Sequence, residues 1–122
     1  MKYYHATPKA NVHKILIEGL KLSGRRQGWS TGMSGGWVLR GKIFLFSDPV
    51  IAEEKVWDAI EVAQQYSEPL SKNWTILEIS LPGQIEVSEG VGYSEDEVPV
   101  ASYFVTQPIP SRYIRVFKEF EV

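Results

Sequence analysis

Near the start of the chain, in Tyr3-Tyr4-His5-Ala6-Thr7, an imidazole and a hydroxyl stand two residues apart, between an aromatic pair and a stretch with helical spacing. In an extended strand, residues two apart share a face, so Tyr3, His5 and Thr7 are expected on one wall. Such a pair can fix a ribose diol by short, oriented hydrogen bonds, or it can satisfy nearby backbone. A second chemically loaded stretch is SGRRQGWSTGMSGGWVLRG, Ser23 to Gly41, with Arg25, Arg26 and Arg40 beside Trp29 and Trp37. Guanidinium forks pair with a pyrophosphate or a phosphorylated nucleic acid end, and indole rings stack on bases; the same residues also make an ordinary charged surface. The stretch contains neither a GxGxxG nor a Walker pattern, so a Rossmann or P-loop phosphate cradle has no support. Three adjacent acids, Glu95, Asp96 and Glu97, read first as solvated loop. The histidines, His5 and His13, have no spacing that recommends a metal site.

Composition bounds what these residues can belong to. With 122 residues, 43% of them hydrophobic, the chain fits one compact domain, 1–122, that would bury about two-thirds of the surface its unfolded form exposes. A formal charge of -2 argues against a polyanion gripped by bulk charge, leaving nucleic acid only through a local patch. The absence of cysteine excludes disulfides, thiolate zinc and a thiol nucleophile, and fits a reducing compartment. No apolar run approaches the roughly 20 residues of a membrane span, and the N-terminus lacks the order of a signal peptide. A cytoplasmic location without membrane contact is therefore expected.

Local signals then define the elements. Met1 to His5 suits a first strand. Asn11 can cap a helix carrying Val12, Ile15, Leu16 and Leu20 at helical spacing, with Gly19 as its stop. Ser23 to Gly41 has no period and reads as a long loop. Lys42 to Ser47 reads as a buried strand, ended by the cap Asp48 and by Pro49 at the first helical position. The second helix runs to about Tyr66, with Ile51, Ala52, Lys55, Val56, Ala59, Ile60 and Ala63 along one side. WTILEISLP is a strand, QIEVS its short partner, and EGVGYSEDEVP an acidic loop. Strands over Val100 to Thr106 and Tyr113 to Glu121 close the chain. Helices early and strands late argue for an α+β fold.

Taken in order, the strand with His5-Ala6-Thr7, the helix ILIEGL, the run GKIFLFSDP opening a second helix, and the late VTQPIPSRYI resemble the ADP-ribosyltransferase superfamily. That superfamily includes the transferases related to poly-ADP-ribose polymerases and the RNA 2'-phosphotransferases. The resemblance spans nearly the whole chain, through short motifs that gain specificity only as an ordered set. It implies two small, facing, mostly antiparallel sheets with flanking helices and a central cleft for NAD. On this mapping His5 bonds the 2'-hydroxyl of a ribose, with Thr7 as its co-facial helper. Phe44, followed by Phe46, takes the place where the family often has a tyrosine that stacks on nicotinamide. Arg25, Arg26 and Trp29 would bind the rest of the nucleotide.

The third motif departs from the pattern. Transfer from NAD passes through an oxocarbenium-like ribose, which a nearby carboxylate stabilises while it activates the acceptor. Many family members carry a glutamate a few residues before the IP turn, whereas VASYFVTQPIP has no acid, and Ser102 or Tyr103 stands there. Glu95, Asp96 or Glu97 could replace it from the neighbouring loop. The leading expectation is an NAD-using transferase, with His5 and Ser102 at the catalytic positions and a protein or nucleic acid as acceptor. The alternative is an inactive nucleotide-binding module for NAD, ADP-ribose or a related signal nucleotide. An RNA 2'-phosphotransferase-like enzyme ranks below both.

Overall fold

The computed structural model describes residues 2–22, 43–65, 71–93 and 99–122. Strand β1 is Lys2–Pro8, and a 3-10 turn, Lys9–Asn11, leads into helix α1, Val12–Glu18. Then come β2, Ile43–Leu45; α2, Pro49–Gln65; β3, Asn73–Ser80; β4, Ser88–Tyr93; and β5, Pro99–Val105. A second 3-10 turn, Ser111–Tyr113, precedes β6, Ile114–Glu121. Among the described residues, no helix is long and apolar enough to cross a membrane.

The two helices start differently: Asn11, expected as the cap of α1, makes no side-chain capping hydrogen bond because the 3-10 turn Lys9–Asn11 runs straight into the helix, whereas α2 opens on a side-chain cap. The Asp48 carboxylate accepts from the Val50 N–H at 2.8 Å, which satisfies one of the free donors at the start of α2, while Pro49 has no N–H to satisfy. Ala52, Val56 and Ala59, at spacings of four and three, are the buried stripe of α2. Helix α1 ends on Gly19, whose N–H donates to Ile15 O and whose φ of +82° favours a residue without Cβ. A Cβ there would also collide with the Ile109 carbonyl oxygen. That close approach is needed because Leu20 and Ile109 exchange backbone hydrogen bonds, each 2.9 Å.

Two three-stranded antiparallel sheets result, ordered β1-β3-β6 and β2-β5-β4, giving the expected α+β architecture. Among the described residues one backbone bridge joins them, where Tyr4 N–H donates to Phe46 O at 2.7 Å and Phe46 N–H donates to Tyr4 O at 2.8 Å. The alternation of β1 and β3 feeds two separate cores. Tyr3, Leu77 and Ile79 pack with Ile43, Leu45 and Val105 of the second sheet and with Val12, Leu20, Ile109 and Ile114. On the other face, Ala6, Trp74 and Ile76 pack with Phe46 and the α2 stripe.

Three boundaries differ from the sequence expectation: β1 runs on past His5 to Pro8, the second strand ends at Leu45, and the third difference, in β4, is the largest. QIEVS does not pair with β3; the strand begins only at Ser88, runs through the stretch expected to be loop, and pairs with β5. Glycines at 90 and 92 signal a turn locally, but an outer strand whose backbone bonds are supplied by β5 tolerates them, so the pairing outweighs the local preference.

Candidate functional site where the sheets part

The bridge between the sheets has one rung. In its register the next rung would join Ala6 to Phe44, but the Phe44 carbonyl oxygen instead accepts from His5 Nδ1 at 2.8 Å. The imidazole thus takes over a backbone hydrogen bond at the point where β1 and β2 diverge. It acts as a wedge that keeps the carbonyl satisfied while the strands separate.

This contact fixes the chemistry of the ring. A carbonyl can only accept, so Nδ1 carries the proton. Burial, with only 3% of His5 exposed, pushes its pKa below the ordinary value despite the opposing effect of the Phe44 hydrogen bond. At neutral pH the ring is therefore uncharged, and Nε2 presents a lone pair. A lone pair held by a bonded ring is a directed acceptor for a hydroxyl hydrogen. The same burial has a stability consequence: the unfolded chain takes up a proton as pH falls through about 6.5, whereas the folded imidazole resists until lower pH. Stability is expected to fall from pH 7 downward across that window, and urea midpoints at pH 7.5 and 5.5 should differ more for the wild type than for His5→Asn.

Thr7 lies on the same face of β1 as His5 and Tyr3, as expected. Directly across from Thr7 in the β1–β3 register is Thr75, and across from His5 is Leu77. His5, Thr7 and Thr75 therefore form a polar row at one end of a face that continues through Leu77, Ile79 and the Tyr3 ring. All three are buried, and Thr75 is 0% exposed. Among the described residues the Thr75 hydroxyl is the one buried side-chain polar atom without a hydrogen-bond partner. At the other end of the face, the Tyr3 ring meets Tyr103 edge-on at 5.4 Å. Burial, then Tyr103 and Glu89, push the Tyr3 phenol upward, so it stays neutral.

Phe44 is joined to His5 through its carbonyl and not ring to ring. Its neighbours Ile43 and Leu45 are buried in the shared core, so the Phe44 ring goes to the opposite face, half-buried and tilted against Phe104 at 6.1 Å. Ser102 is in β5, where its backbone is in register with Gly90. Arg25, Arg26, Trp29, Trp37 and Arg40 lie outside the described residues, as do Glu95, Asp96 and Glu97.

Comparison with family models, curated proteins and solved structures finds no match for the chain. The site is therefore read from its own groups.

Two functional candidates escape sequence reading. Thr75 sits in WTILEIS as the one polar residue of the face it shares with Leu77 and Ile79, a break in alternation that marks it once the face is known. Glu78 is a carboxylate only 4% exposed. Burial pushes its pKa up, but Arg115, whose Nε donates to it at 2.8 Å, and Lys2, 3.4 Å away, outweigh that and hold it below the ordinary value. It stands opposite Tyr4, on the face away from His5, and so does not supply the negative charge that the third motif lacks. Among the described residues no cluster of His, Asp and Glu could hold a metal ion.

Proposed function

We propose that the protein is an ADP-ribosyltransferase-like domain that binds NAD where β1 and β2 part and transfers its ADP-ribose to a macromolecular acceptor. The observation that carries this is the His5 Nδ1–Phe44 carbonyl bond, which leaves Nε2 as an oriented acceptor at the divergence of the two sheets. A ribose hydroxyl donates to that lone pair, and the Thr7 hydroxyl supplies a second bond from the same face. The carboxamide of nicotinamide carries an NH2 donor group and a carbonyl acceptor side by side, and can take the backbone rung that Ala6 does not share with Phe44. The Phe44 ring, turned away from the shared core that the His5 face joins, is left out of the stacking role, and Phe44 enters the site through its carbonyl. Arg25, Arg26 and Trp29 are proposed partners of the pyrophosphate and adenine.

In the reaction, the bond between ribose C1' and the nicotinamide nitrogen breaks, nicotinamide leaves with the electron pair, and the acceptor's nucleophile closes on the cationic ribose and gives up its proton to solvent water. Positioning by His5 and Thr7 lowers the entropic part of this barrier, while a carboxylate would lower its electrostatic part. Serine at position 102 favours a second reading, a module that holds NAD or ADP-ribose without turnover. Calorimetric titration with NAD, in parallel with chromatographic assay of nicotinamide, separates the two. Binding with release supports the transferase, binding without release supports the module, and no binding removes both.

A further inference from the structure

A buried hydroxyl without a partner is an unusual thing for a fold to keep. Such a group forfeits its hydration and receives nothing in exchange, so valine, with the same shape, would serve the sheet better at position 75. Thr75 is nevertheless a threonine with a fully buried, unpartnered Oγ1. Its cross-strand neighbour is Thr7, so the two Cβ atoms stand about 4.5–5.5 Å apart and a side-chain rotation can bring the hydroxyls into hydrogen-bond contact. Threonines facing each other across an antiparallel pair make this kind of bond. A hydroxyl that accepts one hydrogen bond also becomes a better donor in the next.

We propose that Thr75 is a positioning residue for Thr7: its hydroxyl donates to Thr7 Oγ1 when Thr7 turns its own hydrogen to an acceptor oxygen on a bound nucleotide. The inference rests on NAD or ADP-ribose binding beside His5 and adds to it the group that sets the direction of the Thr7 hydroxyl. Thr75 does not touch the ligand. Its unmet bond lowers the stability of the free protein and is recovered on binding, so stability and affinity respond to its removal in opposite senses.

The test is a double-mutant cycle with Thr7→Val, Thr75→Val and both together, reading ADP-ribose affinity by calorimetry and unfolding by urea. Thr75→Val is expected to raise the urea midpoint and weaken ADP-ribose binding about tenfold. Thr75→Ser, which restores the hydroxyl, is expected to bind like the wild type. The double variant is expected to bind no worse than Thr7→Val alone, because Thr75 acts only through Thr7. A Thr75→Val protein that binds as well as the wild type, or one whose loss adds in full to that of Thr7→Val, overturns the assignment while leaving nucleotide binding intact. A lowered midpoint for Thr75→Val also overturns it, since the hydroxyl would then serve the fold. A wild type that binds neither ADP-ribose nor NAD refutes the functional reading itself, and the assignment with it.

Discussion

Replacing His5 by asparagine is expected to leave a folded protein that binds NAD and ADP-ribose about 1–3 kcal/mol more weakly than the wild type. The two ends of the imidazole have separate duties, and asparagine divides them. Its amide nitrogen lies where Nδ1 lies and can still donate to the Phe44 carbonyl, whereas nothing in the side chain reaches the position of Nε2. His5→Ala loses both duties. It leaves the buried carbonyl unpaired and opens a cavity, so it should also lose stability that the asparagine variant keeps. Calorimetry and urea unfolding on the two variants check this directly. Equal affinity for His5→Asn and wild type would reduce the histidine to a backbone cap.

The largest stability loss is expected on the other face of the same sheet. Trp74 is wholly buried against Ala6, Ile76 and the α2 stripe, and its indole N–H donates to Ser71 O at 2.8 Å. Trp74→Ala should lose about 3–5 kcal/mol, a large share of the roughly 5–15 kcal/mol available to a small domain. Urea unfolding measures it, and a loss below about 1 kcal/mol would contradict the packing described here. Trp74→Phe keeps most of the ring and should unfold at an intermediate midpoint. Because Trp74 is on the face away from His5, the folded phenylalanine variant should bind nucleotide like the wild type. His5→Asn and Trp74→Phe thus separate site from scaffold.

Much of this arrangement can be read from the chain, where short-range chemistry decides the outcome. Asp48-Pro49 opens α2, Gly19 closes α1, and the alternation of β1 places Tyr3, His5 and Thr7 together, because each depends on the residue's own geometry or its nearest neighbours. The α+β class follows from the order of those elements. What the chain hides is long-range pairing. Nothing in QIEVSEGVGY says that its second half will be the strand, since the bonds that hold it come from β5. Thr75 was silent for a similar reason: only the β1–β3 register sets it opposite Thr7. The His5–Phe44 bond joins residues 39 apart, and no spacing rule reaches that far. The resemblance paired those same two residues, but through a ring facing a ligand, and the fold joins them through a carbonyl.

The most direct measurement of the central claim is the nitrogen-15 spectrum of the His5 imidazole at neutral pH, recorded while ADP-ribose is added. The expected spectrum is that of a neutral ring with the proton on Nδ1, and an unprotonated Nε2 whose resonance moves as the ribose hydroxyl donates to it, while Nδ1 stays bonded to Phe44. A proton on Nε2 in the free protein, or an Nε2 resonance that stays fixed at saturating nucleotide, contradicts it.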